Sequence, residues 1–275
     1  MRRGAPGTKE GPGPPPAGPA ATTSTTIELL GHSSVRIDLD GIRFLTDPAT
    51  EARIGPLRRL VGPVSDHALA SIDVVLVSHL HLDHLDMPSL RRIPDAATVV
   101  VPRGAGSWLR RAGRSNVVEL AADEAVGLGG LVIRAVPARH GGFRPPRGPR
   151  AEALGYLIEG SRSVYFAGDT GFFDAMHQIA PGGLDVALLP VAGWGLTLPL
   201  ATHLDPLGAA HAARLLGARA TIPIHWGTYR PAGLHHPRLR GDRHRPPREL
   251  ERLARIHAPD AAIRPLDIGE RLVLP

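Results

Sequence analysis

Cysteine is absent from the 275-residue chain, so no disulfide can staple it and no thiolate can bind a metal. Any metal must sit on imidazole and carboxylate. The head runs Met1-Arg2-Arg3 into Gly, Pro and Ala without the apolar core of a secretory leader. With the missing cysteine, that reads as a cytoplasmic protein. No apolar run reaches the ~18 residues of a membrane span. Lysine is nearly absent too: Lys9 is the only one, and arginine carries the formal charge of +6. An arginine-for-lysine bias beside abundant Ala, Gly and Pro is the composition of a GC-rich coding sequence. We read the basicity that way rather than as a nucleic-acid footprint. The basic stretches Arg139 to Arg150 and Arg238 to Arg248 are interleaved mainly with Pro, Gly and His, not with the aromatics of a base-stacking platform.

What the chain does have is histidine in one place. His79-Leu80-His81-Leu82-Asp83-His84 directly follows the apolar stretch Asp73-Val74-Val75-Leu76-Val77-Ser78. A buried strand ends, the chain turns, and four metal-capable side chains enter one small volume. Imidazole and carboxylate suit a borderline divalent ion such as zinc. A pair at i and i+2 fits an extended or turning segment and not a helix, where i and i+4 share a face. Further candidates each follow a strand-like run: His140 after Leu131 to Val136, Asp169 after Ser163 to Ala167, and His225 after Ala220 to Ile224. Singly these are ordinary residues, and Gly168-Asp169-Thr170 is plain turn chemistry. Together they place a His or Asp at the end of four strands, which would share one rim if the strands lie side by side.

These successive motifs resemble those of the metallo-β-lactamase fold superfamily, from about Thr26 to the C-terminus. Three details narrow the resemblance: Gly31-His32-Ser33-Ser34 before a hairpin ending Leu45-Thr46-Asp47-Pro48, His203-Leu204-Asp205-Pro206 opening a helix, and Ile224-His225-Trp226-Gly227-Thr228. They are similar to the branch of ascorbate-6-phosphate lactonase-like and N-acyl-phosphatidylethanolamine phospholipase D-like hydrolases. One departure is Leu154, before Gly155-Tyr156, where that branch carries an aromatic.

The resemblance implies two divalent ions, zinc by ligand type, with manganese the other candidate because carboxylates are included. His79, His81 and His140 would hold one ion; Asp83, His84 and His225 the other, and Asp169 would bridge them. In a one-metal enzyme Asp83 would instead be the general base. His203 is implied as an active-site group that donates to a substrate oxyanion or leaving group; its alternative is a histidine beside a helix cap. Asp47 and His32 are expected to orient ligands, and Asp73 to be a structural cap. Arg139, Arg144, Arg147 and Arg150 could anchor a phosphate. His235, His236 and His244 read as loop residues outside the site.

The implied activity is a dinuclear hydrolase that uses an activated water on an anionic, phosphate-containing small molecule or lipid, as a phosphodiesterase or lactonase. The alternatives are a metal-dependent nuclease and a non-catalytic metal- or nucleic-acid-binding protein. The interval from Asp169 to His225 is too short for the extra domain some nuclease relatives insert. The complete ligand set argues against a non-catalytic protein, and His81 argues against oxygen-reducing relatives. A membrane surface as partner has no support in the sequence.

The fold expected is α+β: a four-layer αβ/βα sandwich with the metal rim at one edge of two sheets, in a single domain over 26–275. Residues 1–25 lack large apolar side chains and read as a disordered tail. Strands are expected at Thr26–Leu30, Ser34–Leu39, Ile42–Thr46, Asp73–Val77, Thr98–Val101, Asn116–Leu120 and Leu131–Val136, the last closing the first half. Glu51 to His67 reads as loop. The second half carries strands Ala153–Glu159, Ser163–Ala167, Asp185–Pro190, Ala220–Ile224 and Arg271–Leu274. Its helices are expected over Phe172–Ile179, Asp205–Leu216 and Arg248–Ile256.

Overall fold

The computed structural model describes residues 24–192, 202–232 and 242–274. All but the last two residues of the expected tail, and His235-His236, therefore lie outside the described residues, as does Gly193-Trp194-Gly195, which the sequence suggests is irregular.

The chain opens with a meander, β1 (Thr25–Gly31), β2 (Ser34–Leu39) and β3 (Ile42–Thr46). Asp40 and Gly41 join β2 to β3 with φ of 49° and 81°, the left-handed pair that a two-residue hairpin requires. Next come β4 (Arg53–Ile54), β5 (Leu57–Arg59), α1 (Asp66–Leu69), β6 (Val74–Leu76), α2 (Met87–Arg91), β7 (Thr98–Pro102), α3 (Gly106–Arg111) and β8 (Val117–Leu120). The second half holds β9 (Ala125–Leu128), β10 (Leu131–Pro137), β11 (Leu154–Glu159), β12 (Ser163–Phe166) and β13 (Val186–Pro190). After these come α4 (Pro206–Leu216), β14 (Ala220–Ile224), β15 (Tyr229–Pro231), α5 (Arg245–His257) and β16 (Arg271–Leu274).

Two large sheets result, ordered β16-β1-β2-β3-β6-β7-β8 and β14-β13-β12-β11-β10-β9. Strand alternation explains how they stack. In β6, Val74 and Leu76 join the core between the sheets, while Val75 and the following Val77 face the other way with Leu69 of α1, Leu90 of α2 and Leu109 of α3. On the far side, Ala209, Ala210, Ala212 and Ala213 of α4 and Leu250 and Ala254 of α5 are buried with the second sheet. The order helix, sheet, sheet, helix is the expected sandwich. The Asp205 side chain accepts from Gly208 N–H at 2.8 Å to cap α4, and Gly217 ends it with φ of 57°.

Several expectations change. Leu131–Pro137 does not close the first half: it pairs with β9 and β11 in the second sheet. β16 crosses back to β1 in the first. The loop expected over Glu51 to His67 contains β4 and β5, which form a third, three-stranded sheet with β15 in the order β15-β5-β4, and the start of α1. The helix expected over Phe172–Ile179 is a 3-10 helix, Asp174–Gln178, with no side-chain cap.

Register brings the site together. β3 runs parallel to β6 with Thr46 opposite Leu76, so Asp47 and Ser78 emerge at one edge. β12, β13 and β14 are parallel, and β10 runs the same way as β12 because β11 is antiparallel to both. The residues after β10, β12 and β14 therefore leave at one edge of the second sheet.

Candidate metal centre

Asp47, fully buried after β3, organises the first motif. Its carboxylate accepts from Ser78 N at 2.7 Å, from Ser78 Oγ at 2.6 Å and from His84 Nδ1 at 2.6 Å. Burial pushes this carboxyl up, against the pull of His84 and Ser78. Ser78 Oγ spends its proton on Asp47, so at 3.0 Å it accepts from His79 Nδ1–H. One carboxylate thus fixes the ring orientation of both His79 and His84, leaving their Nε2 atoms pointing away from it. On the opposite sheet His140 Nδ1 lies 3.0 Å from Thr202 O. A carbonyl only accepts, so Nδ1 carries the proton and Nε2 is bare.

Three imidazole nitrogens then converge: His81 Nδ1 is 2.9 Å from His79 Nε2 and 3.2 Å from His140 Nε2. Two nitrogens on one tetrahedral ion with ~2.0 Å bonds are separated by roughly 3.3 Å, so this trio has the spacing of a ligand set. Burial holds all three imidazoles below the ordinary histidine range, His79 most strongly, which keeps them neutral and available as ligands.

A second group forms from His32, Asp83, His84 and His225, all buried, with one candidate donor atom each lying within 4.8 Å of the others. Asp83 Oδ2 is 3.1 Å from His32 Nε2 and 3.8 Å from both His84 Nε2 and His225 Nε2. Asp169 stands between the groups: its Oδ2 is 3.3 Å from His84 Nε2, 3.3 Å from His225 Nε2 and 3.7 Å from His203 Nε2. Its Oδ1 is buried and has no hydrogen-bond partner among the described residues. Leaving such an oxygen unmet costs about 1–3 kcal/mol or more, and a cation would satisfy it. Burial opposes the charge on both carboxyls, yet the surrounding imidazoles hold Asp83 and Asp169 well below the usual carboxylate range. Burial likewise opposes charge on His84, but Asp169, Asp83 and Asp47 carry it well above the ordinary value. The pocket calls for positive charge, and the donor set fits divalent ions.

Backbone strain concentrates here. Among the described residues five non-glycine positions have positive φ, and three belong to the site: His32 at 55°, Asp47 at 30° and His225 at 62°, each a conformation that costs roughly 1–3 kcal/mol. The turns that hold them interlock. His225 N donates to His32 O at 2.9 Å, and His32 N donates to Thr228 Oγ1 at 2.6 Å. Gly168 is needed for close approach: a Cβ there would fall 2.4 Å from Ser78 Cβ, so only glycine lets Asp169 reach the first motif.

All seven expected ligand residues come together, and the structure adds one. His32, read as an orienting group, presents Nε2 inside the second group. Sequence reasoning missed Ser78 and Thr202, although each immediately precedes a site histidine. His203 is half-buried beside the cluster, its ring edge-on to His140 at 4.6 Å. Asp73 is structural: its carboxylate accepts from Arg43 N at 2.8 Å, tying β6 to β3. Arg144 corrects an expectation. It is buried, donates to Leu80 O and Leu85 O, and lies under Trp108 at 5.2 Å. It braces the histidine loop and is spent before any anion arrives. Arg139, Arg147 and Arg150 remain exposed. His244 packs on Trp226 and faces Asp267, outside the candidate metal groups.

Residues 42–226 match the family described as Beta-lactamase superfamily domain. A UPF0173 metal-dependent hydrolase of Rubrobacter xylanophilus is 31% identical over 260 residues, covering 90% of this chain and 96% of that protein. The N-acyl-phosphatidylethanolamine-hydrolyzing phospholipase D 1 of Caenorhabditis elegans is 33% identical over 224 residues, 73% of this chain and 63% of that one. The chain spans about three fifths of the length of several curated relatives that it matches at 33% identity. Among solved structures, the metallo hydrolase Igni18 of Ignicoccus hospitalis superposes with a TM-score of 0.70 at 23% identity, over 92% of this chain and 99% of that one. At that identity it supports the fold alone. No helix among the described residues is long and apolar enough to cross a membrane.

Proposed function

Because the chain belongs to the β-lactamase superfamily, we propose that its His–Asp cluster holds two divalent ions and hydrolyses an ester bond in a phosphate-bearing small molecule or lipid. His79, His81 and His140 would hold one ion, and Asp83, His84 and His225 the other, with Asp169 shared between them. Zinc suits the imidazole-rich donors and manganese the carboxylates. Two bound cations supply Lewis-acid chemistry: a water of lowered pKa and stabilisation of the leaving oxygen.

The chain's own residues do the rest. The neutral imidazoles leave most of the ionic charge in place, and Asp83 and Asp169 partly offset it. In the two-ion site Asp83 acts as a ligand; with a single ion it would instead orient the attacking water and accept its proton. His203, half-buried at the side of the cluster and kept below the ordinary histidine range by burial, donates a hydrogen bond to a substrate oxyanion or the leaving oxygen. Asp47, Ser78 and the carbonyl of Thr202 hold the rings in register, so little reorganisation is needed on binding. An anionic substrate is favoured by exposed Arg139, Arg147 and Arg150, on the segment that runs through and beyond His140. An ester of a phospholipid is supported by the name of the nematode relative.

The single observation that carries this reading is the convergence of His79, His81 and His140, with a buried Asp169 oxygen that has no hydrogen-bond partner among the described residues. The test is a screen of zinc- and manganese-reconstituted protein against phosphodiesters, lactones and oligonucleotides. Turnover of a phosphodiester or lactone, abolished by chelation and restored by metal, is expected. Turnover only of oligonucleotides would move the protein to the nucleases, and turnover indifferent to chelation would end the metal reading.

A further inference from the structure

The three-stranded sheet β15-β5-β4 has two unlike faces. Residues directly opposite on antiparallel strands share a face. Ile54 is opposite Leu57, and Arg59 is opposite Tyr229. These four turn inward, where Ile54 and Tyr229 pack with Ala49, Leu57 and Leu82. The inward Arg59 is consumed by structure, donating to Leu30 O at 2.7 Å and to the Tyr229 hydroxyl at 3.3 Å.

The other face carries arginine alone in register. Arg53 is opposite Arg58, and Arg58 is opposite Arg230. Three guanidinium side chains therefore cross neighbouring strands in one row, at the strand spacing of about 4.8 Å. Like charges directly opposite weaken a sheet, and strands of two or three residues have little else to hold them. Arg36, Arg92, Arg134, Arg162 and Arg252 each have a carboxylate partner. Among the described residues, none of the three in the row has one. Beside the row Leu60 is 40% exposed, followed by half-buried Val61 and exposed Gly62 and Pro63.

We propose that this outward face docks on a bilayer rich in anionic phospholipid. Guanidinium forks bind phosphate oxygens, three in a row meet a charged plane together, and Leu60 with Val61 can enter the headgroup boundary. Single-stranded nucleic acid is disfavoured because the sheet's aromatic, Tyr229, is turned inward and no stacking platform stands on this face. The inward face rests on Leu82, between His81 and Asp83; a Cβ on Gly55 would lie 3.1 Å from Leu82 Cδ1. Docking would therefore set the histidine loop next to the membrane. The surface does not depend on the metal reading, since its test measures binding and not turnover.

The test is co-sedimentation of the full chain with vesicles of phosphatidylcholine and phosphatidylserine in equal parts, against phosphatidylcholine alone, at low and high salt. Binding to the anionic vesicles, weakened by salt, is expected. The variant Arg53→Gln/Arg58→Gln/Arg230→Gln should bind about 10²-fold more weakly, at roughly fivefold per arginine. Its Tm should equal or exceed that of the parent, because a like-charge row is gone. Should the triple variant fail to fold, Arg58→Gln alone should lose roughly fivefold. A charge-matched control, Arg91→Gln/Arg111→Gln/Arg255→Gln, removes exposed arginines elsewhere and should retain most of the binding. Equal loss in the control, or no preference for anionic vesicles, overturns the proposal. So does tighter binding of a short oligothymidylate through the same three arginines.

Discussion

At the scale of single residues, the site separates groups that would hold metal from groups that work beside it. On the proposed reading His203 acts on substrate beside the ions, its Nε2 at 3.7 Å from Asp169 Oδ2, while Asp169 is shared: its Oδ2 is 3.3 Å from His84 and His225, and it groups with His140 within 4.8 Å. His203→Ala should keep its metal and lower kcat ~10²–10⁴-fold, the range for a positioned acid. Asp169→Ala should lose both metal and activity. Paired elemental analysis and kinetics distinguish them, and loss of metal from His203→Ala would make it a ligand. Asp47 should show a third pattern. Asp47→Asn keeps the size of the side chain but weakens the hold on His84 and Ser78, so metal affinity should fall roughly 10–100-fold, measured by competition with a chelator. An unchanged affinity would reduce Asp47 to packing. The seven ligand candidates were legible because four apolar runs each end on a His or Asp. The inclusion of His32 in the second group was not, because its place is set by the turn it shares with His225 and Thr228, nearly two hundred residues away.

Elements show the same division. The long strands and α4 were legible from apolar runs and from the Asp205 and Gly217 caps. β4, β5 and β15 are two or three residues long, too short to display a period, and they exist because they pair with one another. The sheet boundary was also hidden, since Leu131–Pro137 reads like any buried strand until β9 claims it. One tertiary cap could not be read locally. α3 has no side-chain cap of its own; Glu119 of β8 instead accepts from Gly104 N at 2.8 Å and Gly106 N at 2.9 Å, with Arg110 at 3.3 Å. Burial pushes this carboxyl up, and the Gly106, Gly104 and Arg110 donors outweigh it and hold the pKa below the ordinary glutamate value of 4.5. A depressed folded pKa gives stability that is present above the unfolded value and lost as pH falls through the folded one. Glu119→Ala should therefore cost about 1 kcal/mol near neutrality, the scale of a helix cap. The difference in Tm from the parent should narrow as the pH drops below 4.5. A difference independent of pH would show that packing, not the charged cap, is lost.

Across the whole molecule, a core between two sheets supports a strained, polar rim. Tyr156 and Tyr165 are both fully buried in that core, but they differ. Tyr156 donates to Val77 O at 2.8 Å, while the Tyr165 hydroxyl has no hydrogen-bond partner among the described residues. A buried hydroxyl left unmet costs about 1–3 kcal/mol. Tyr165→Phe should accordingly raise Tm, and Tyr156→Phe should lower it. A calorimetric scan showing Tyr165→Phe less stable than the parent would mean that this hydroxyl is satisfied after all.

The central claim is that opposing sheet edges build one site for a pair of ions, and metal content tests it most directly. Elemental analysis of the purified chain after zinc or manganese reconstitution should find close to two ions per chain. His81→Ala should hold fewer, and Asp169→Ala fewer still. A chain that retains no divalent metal above background after reconstitution would contradict the claim.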